Sequence, residues 1–281
     1  TSKYISSEAK IEIRRDIMKK LLSIILSATM LLGVVGCGSA SNNADTSAST
    51  DKIIVGLDDQ FPPMGFRDDK NELVGFDIDL AKAAAEKMGC KIEFQPIDWD
   101  SKEMELNTGK ISLIWNGFTI TDDRLASMEF TKPYLNNRQI IVVKDGSDIK
   151  SKNDLVGKNV GVQKGSSAVD AINADEIHNQ FASNPTYETN VLAFTDLEIG
   201  RVDAVVVDEI VARYYLAQNP DKKFKVLDDS FGTEQYGIAA KKGNTELINK
   251  LQTALNELSA DGTAAEISNK WFGEDIVVNN N

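Results

Sequence analysis

The sequence predicts an α/β protein built from two similar modules, and three features carry that prediction. From Ile53 onward, short apolar runs alternate with helical patterns, as in layered folds on largely parallel sheets. The second half repeats the order of elements found in the first. Between the modules lie two extended apolar runs, residues 139–144 and 235–240, suited to strands that cross between lobes.

Taken in order, residues 53–57 read as a strand. Leu80, Ala84 and Met88, with Ala81 and Ala85 beside them, make one apolar helical face, and Gly89 ends that helix. Residues 91–94 form the next strand, 101–107 a helix with Ser101 as its N-cap, and 111–115 another strand. In the second module a strand over 159–163 leads into a helix from Ser166, a strand over 204–207 leads into a helix over 208–218, and 224–227 is a further strand. An amphipathic helix over 245–258 follows, then a last helix ending near Trp271-Phe272-Gly273. Pattern alone allows two topologies: sequential domains, or a chain that crosses out and returns its end to the first lobe.

With 281 residues, 42% of them hydrophobic, the chain can bury an ordinary soluble core in one or two domains. Its 31 Lys and Arg against 43 Asp and Glu give a formal net charge of −12, which repels phosphate backbones. No Lys/Arg-rich segment interleaved with aromatics offsets this, so nucleic acid is not an expected partner. His178 is the single histidine and the only cysteines are Cys37 and Cys90, so neither a metal cluster nor a cofactor is expected. Cys90, after Gly89 at a helix-to-strand junction, reads as a buried small hydrophobe.

Residues 18–36 read as a secretory signal: Met18-Lys19-Lys20, then an apolar run from Leu21 to Val35, then Gly36. The run would rise only about 22 Å as a helix, against roughly 30 Å of bilayer hydrocarbon. Val34-Val35-Gly36-Cys37 resembles a bacterial lipobox, which implies lipidation of Cys37 and an anchor on the outer face of the cytoplasmic membrane, of Gram-positive type, or a periplasmic location in a Gram-negative host. Residues 1–17 precede Met18 and are read as upstream sequence outside the fold. Removing residues 1–36 takes away six basic and three acidic residues and leaves 25 against 40, a net charge of −15. Residues 37–50, rich in Ser, Ala, Asn and Thr, cannot bury a core and read as a flexible tether.

Six stretches then stand in order across residues 51 to 275. They are Gly75-Phe76-Asp77-Ile78-Asp79-Leu80, Gly117-Phe118-Thr119-Ile120-Thr121-Asp122-Asp123-Arg124, Phe130-Thr131-Lys132-Pro133-Tyr134, Val160-Gly161-Val162-Gln163-Lys164-Gly165-Ser166-Ser167, Gly200-Arg201-Val202-Asp203-Ala204-Val205-Val206-Val207-Asp208 and Lys270-Trp271-Phe272-Gly273. In order and spacing the chain resembles the extracellular solute-binding proteins of polar amino acid ABC transporters, the group that contains glutamine- and histidine-binding proteins. The resemblance implies a type II periplasmic-binding-protein fold: two α/β lobes joined by two hinge strands, with one free amino acid clasped in the cleft between them. Lobe 1 would comprise residues 51–140 and 239–281, and lobe 2 residues 141–238. The expected protein is a monomer whose closed, loaded form docks on ABC transporter permease subunits, tied to the membrane by its N-terminal lipid. Ser112 departs from the family pattern, which carries Asp there, at a position that looks structural.

A free amino acid carries a carboxylate and an ammonium on one carbon, so a selective site must set donors and acceptors a few ångströms apart and largely dry. Arg124, five residues after Thr119, offers a planar fork to the carboxylate, as its family counterpart does; the structural alternative is an Arg on the surface or at a helix end. Ser166 and Ser167 precede a helix and would meet the same carboxylate from the opposite lobe, or simply cap that helix. Asp208, after an apolar strand and before a helix, would accept the ammonium, its alternative being an N-cap. Thr119 and the carbonyl of Gly117 would complete the ammonium cage.

For the ligand side chain, the resemblance points to Asp58, to Phe61 and Trp99 as rings sandwiching it, and to Gln163, Asn116 and Trp115 as variable positions beside the cleft. Phe61 and Trp99 have ordinary packing as their alternative, and Trp99 is expected in a loop. Asp58 would favour an amide, imidazole, ammonium or guanidinium group, so basic or amide ligands come first, cystine-like ligands next, and acidic ligands last. Asp77 and Asp79 are read as framework. Two competing functions remain: a cyclohexadienyl dehydratase-like enzyme on the same fold, and a sensory amino-acid-binding module. The first needs an acid or base tuned for elimination, and the sequence offers no paired carboxylates and no nucleophile with a base at these positions, so no catalytic residue is assigned.

Overall fold

In the computed structural model, which describes residues 52–278, the first half of the chain runs β1 (Lys52–Leu57), β2 (Gln60–Phe61), β3 (Gly65–Arg67), β4 (Leu73–Val74), α1 (Phe76–Met88), β5 (Lys91–Pro96), α2 (Lys102–Asn107), β6 (Leu113–Thr119), α3 (Asp122–Ser127) and β7 (Met128–Phe130). There follow β8 (Leu135–Lys144), β9 (Val160–Gln163), α4 (Ser167–Asn173), β10 (Thr186–Tyr187), α5 (Asn190–Ile199), β11 (Ala204–Asp208), α6 (Glu209–Gln218), β12 (Phe224–Lys241), α7 (Thr245–Ala260) and α8 (Thr263–Phe272). The readings of the signal segment, Cys37 and the tether lie outside the described residues.

Local chemistry sets the elements. In α1, Phe76, Ile78, Leu80, Ala81, Ala84 and Ala85 are buried, Asp77 and Asp79 place negative charge in the first turn, and Gly89 ends the helix at φ 65°. The main sheet runs β10-β9-β11-β8-β12-β6-β1-β5. Its two ends are parallel, β9 with β10 and β11, and β1 with β5 and β6, and the antiparallel pairs β11·β8, β8·β12 and β12·β6 join them. These two ends are the two lobes, and β8 and β12 pass between them. β12 pairs with β8 from Phe224 opposite Lys144 to Tyr236 opposite Leu135, then reaches β6, with Ala239 opposite Ile114.

Over residues 140–143 both faces of β8 are covered. Ile140 and Val142 of β8 join the largest core with Val205 and Val207 of β11, while Ile141 and Val143 point into a second core with Val160, Val162 and Val206. A third cluster, with Trp99, Ile111, Ile114 and Phe118, lies under the cleft end of the first lobe. Truncating one of the buried isoleucines among these to Ala costs about 2–5 kcal/mol.

Four expectations need correction. The strand expected over 111–115 is Leu113–Thr119, because Lys110 and Ile111 still hydrogen-bond back to Glu105 and the ladder with β1 reaches Leu113. That shift puts Asn116 to Thr119 on a strand whose residues are all buried. Residues 224–227 and 235–240 belong to one strand, since register shifts between Val226 and Gly232 carry the ladder past the polar Asp228-Asp229-Ser230. Trp99 lies in a 3-10 turn, and the residue that caps there is Asp98, which accepts from the Asp100 N–H, whereas Ser101 makes no capping bond. Cys90 is half-buried against the largest core. Ser112 bridges strands, its hydroxyl accepting from the Ile54 N–H and its own N–H donating to the Ile54 carbonyl. Among the described residues no helix is long and apolar enough to cross a membrane.

Candidate functional site

The first lobe brings Gly117, Thr119 and Arg124 to the cleft on β6 and α3. Gly117 has φ 56°, and a Cβ there would stand 2.9 Å from the Phe61 ring and 3.1 Å from that of Tyr236, so no other residue fits without displacing an aromatic. Its N–H donates to Asp77 Oδ2 at 2.7 Å, and the Tyr134 hydroxyl donates to the same oxygen at 3.0 Å. Burial pushes Asp77 up to about 7. The framework aspartate thus holds the backbone of the cleft strand. Arg124 is 6% exposed, donates from Nη1 to the Thr119 carbonyl at 2.8 Å, and lies 4.3 Å from the Phe118 ring centroid. Burial pushes its guanidinium below the usual arginine value. Among the described residues it forms no ion pair with a carboxylate.

The second lobe contributes Gln163, Ser166, Ser167 and Asp208. Ser166 makes no capping bond; its hydroxyl donates to the Gln163 carbonyl at 2.7 Å, and the Ser167 hydroxyl reaches Thr119 Oγ1 at 3.1 Å across the cleft. Asp208 likewise does not cap α6. Its Oδ1 accepts instead from the Tyr236 hydroxyl at 2.7 Å, from Gln139 Nε2 at 3.0 Å and from Asn137 Nδ2. Burial, and next the charge of Glu234, push Asp208 up to about 7.

Nine of the eleven expected residues line one small, partly open pocket, closely filled by their own side chains: Phe61, Trp99, Gly117, Thr119, Arg124, Gln163, Ser166, Ser167 and Asp208. Asp58 and Asn116 stand behind it. Asp58 Oδ2 accepts from Gln163 Nε2 at 2.8 Å, and Asn116 Oδ1 accepts from the Asp58 N–H at 2.9 Å. Burial pushes Asp58 up to about 6. Gln163 is fixed in turn by the Glu188 carbonyl at 3.0 Å and by Asn190 Nδ2, which donates to its Oε1 at 2.9 Å. A wider groove on the far side of Glu234 is lined by Arg138, Glu209, Thr233 and Gln235 among others, but it is open to solvent. The pocket that brings a buried guanidinium and a buried carboxylate together is therefore the candidate site.

Sequence reasoning missed five residues here. Glu234, Asn137, Gln139 and Tyr236 come from the connecting strands, and Lys102 of α2 sends Nζ across the cleft to the Gly165 carbonyl at 2.7 Å. A buried cationic group and a buried carboxylate facing one space suit a dipolar ion with its negative end at Arg124 and its positive end at Asp208.

The model of the family described as bacterial extracellular solute-binding proteins, family 3, matches residues 53–274. The chain is 31% identical over 226 residues to the L-cystine-binding protein TcyJ of Escherichia coli K12, covering 80% of this chain and 84% of the relative. Among solved structures it is similar to an ABC uptake transporter substrate-binding protein from Streptococcus pneumoniae with bound histidine, with a TM-score of 0.79 and 39% identity, covering 81% of this chain and 94% of the other. It is also similar to an ancestral arginine-binding protein bound to arginine, with a TM-score of 0.75 and 45% identity, covering 79% of this chain and 98% of the other.

Proposed function

The chain belongs to the bacterial extracellular solute-binding proteins of family 3, and on that premise we propose that it captures a polar L-amino acid, with a basic or amide side chain favoured, and delivers it to an ABC importer. The named relatives are binding proteins, and this chain is a binding protein rather than an enzyme. Cystine, histidine and arginine in their names support a polar ligand.

One observation carries the reading: a buried Arg124 without a carboxylate partner among the described residues lines the same pocket as a buried Asp208. In this reading the ligand carboxylate takes the Arg124 fork and the Ser166 and Ser167 hydroxyls. Asp208, Thr119 and the Gly117 carbonyl take the ammonium, and Asp58, Gln163, Asn116, Phe61 and Trp99 meet the side chain. Residues 51–140 with 239–281, and residues 141–238, close on the ligand about β8 and β12, and lipidated Cys37 holds the monomer outside the cytoplasm near the permease.

A thermal-shift screen over the twenty common amino acids plus cystine and ornithine tests this. A ligand at one hundred times its Kd stabilises the protein by about 2.7 kcal/mol, and about 2–4 °C of Tm shift accompanies each kcal/mol at this size. The expected hits are arginine, lysine, ornithine, histidine or glutamine. A screen in which no amino acid raises Tm overturns the proposal.

A further inference from the structure

The ammonium end of the cleft holds a second carboxylate that no sequence motif announced. Glu234 Oε2 accepts from the Thr119 hydroxyl at 2.9 Å, from Gln139 Nε2 at 2.9 Å and from Asn137 Nδ2 at 3.1 Å, and the Ser167 hydroxyl lies 3.2 Å away. The same two amide nitrogens, Gln139 Nε2 and Asn137 Nδ2, also donate to Asp208. Two carboxylates are thus tied together through shared donors, one of them fully buried and the other half-buried beside it.

Hydroxyl arithmetic gives this arrangement a direction. Thr119 has one proton and two lone pairs. With its proton committed to Glu234, its oxygen is left to accept, from Ser167 and from a ligand; a ligand ammonium can donate to it, a ligand carbonyl oxygen gains no donor there, and a ligand hydroxyl can donate but brings no positive charge to the two carboxylates. We propose that Glu234 commits the cleft to ligands carrying a primary ammonium, by orienting Thr119 as an acceptor and by standing as a second negative charge beside Asp208. This rests on the reading of the cleft as an amino acid site and deepens it. The chemical class selected is the α-amino acid over its α-hydroxy and α-keto counterparts, which would leave two neighbouring carboxylates without a cation between them. Glu234 is a positioning and selectivity residue here, acting on the ligand through Thr119 and through charge.

The groups facing this pair come from every surrounding element. Tyr236 lies beside Asp208 on β12, and Arg124 of α3, on which both carboxylates act, faces them from the first lobe. Asp170 of α4 shares one groove with Glu234, and Arg138 of β8 and Glu209 of α6, themselves ion-paired, share the other. Asp208 must be ionised to receive an ammonium, and the charge of Glu234 opposes that ionisation.

The test is calorimetry on the full chain, with the tightest amino acid from the thermal screen and its α-hydroxy analogue as probes, between pH 5.5 and 8.5. Wild type should bind the amino acid and reject the analogue. Glu234→Gln should weaken the amino acid about tenfold or more at pH 8.5, narrow the preference over the analogue, and move the acid fall in affinity to lower pH, because Asp208 then ionises more easily. Glu234→Asp should restore part of the affinity and the wild-type pH profile. Thr119→Val combined with Glu234→Gln should cost less than the sum of the two single changes, since they act through one hydrogen bond. Thermal unfolding without ligand checks that each variant folds, and Glu234→Asp carries the test should Glu234→Gln not fold. If wild type binds an amino acid while Glu234→Gln keeps both its affinity and its pH profile, this proposal falls and the amino acid reading stands. If wild type binds no amino acid, both fall together.

Discussion

The two ends of the cleft each bury an aspartate, and they are built on different plans. Asp208 receives Tyr236, Gln139 and Asn137, all from the two long strands that join the lobes, with Glu234 tied in through the same amides. Asp58 receives the backbone N–H of Gln60 from its own loop and a single side chain, Gln163, from the opposite lobe. The first end is assembled by strands that exist whether or not the lobes meet. The second is complete only when Gln163 arrives. On the proposed reading, an amino acid site gains from fixing the end that never changes and leaving the variable end to one adjustable contact.

Breaking the fixed end should therefore give the largest effect. Asp208→Ala or Arg124→Ala strands one charge of the ligand in a buried site, a cost of roughly 3–5 kcal/mol, so affinity should fall by two orders of magnitude or more for every amino acid alike. Calorimetry across the ligands found in the thermal screen reads this directly. Near-normal affinity in either variant would place the ligand somewhere else.

Next comes pH, where stability and binding should move in opposite directions. Asp208 and Asp77 are pushed up to about 7 and Asp58 to about 6 by burial, well above the unfolded value near 3.9. Between those limits the folded chain holds more protons than the unfolded one, so ligand-free stability is greatest near pH 4 on this account and is lost as pH rises through about 6 to 7. Binding needs Asp208 ionised, so affinity should rise over the same interval. Denaturant unfolding and calorimetry at pH 5.5, 6.5 and 7.5 measure both. A ligand-free stability that climbs with pH contradicts the assignment.

At the adjustable end the effect should be smaller and should depend on the ligand. Asp58→Asn removes a charge-assisted hydrogen bond, worth about 1.5–3 kcal/mol, from ligands with a cationic side chain, while an amide side chain can still pair with the new amide. Affinity for arginine or lysine should drop about tenfold or more, and glutamine should change little. Equal losses for both would move Asp58 from side-chain recognition to framework.

The same contrast explains what the sequence disclosed. Gly117, Thr119, Arg124, Ser166, Ser167 and Asp208 sit in stretches where glycines, a helix start and a strand end leave a local imprint, Gln163 comes with the family resemblance, and the chain brings them to one space. The connecting strands are legible as apolar runs, but nothing local marks which of their polar residues reach the site. Asn137, Gln139, Glu234 and Tyr236 alternate along β8 and β12, and only the antiparallel register, with Glu234 opposite Asn137, shows that they converge. The apolar pattern starts the strand over Leu113–Thr119 two residues early because the turn after α2 carries Ile111 into the core before the ladder with β1 begins. Polar residues on a strand read as a solvent face until the partner strand is known.

Lys102 offers the smallest and most specific effect. Its side chain is 3% exposed, and Nζ donates to the Trp99 carbonyl at 3.2 Å in its own lobe and to the Gly165 carbonyl at 2.7 Å in the other. Burial, and then the charge of Arg124, lower it to about 8, so it bridges the lobes close to neutral pH as a marginally held cation. Gly165, at φ 67°, allows this approach, since a Cβ there would stand 3.0 Å from Asp100 and 3.4 Å from Lys102 Nζ. Lys102→Met keeps the apolar stem and removes the bridging hydrogen bond, worth about 0.5–1.5 kcal/mol. It touches neither end of the proposed ligand, so it should leave the order of preferred amino acids intact while speeding their release severalfold. Stopped-flow displacement measures that rate. A changed order of ligands would make Lys102 part of recognition, and an unchanged release rate would mean that its bond to Gly165 does not hold the lobes together.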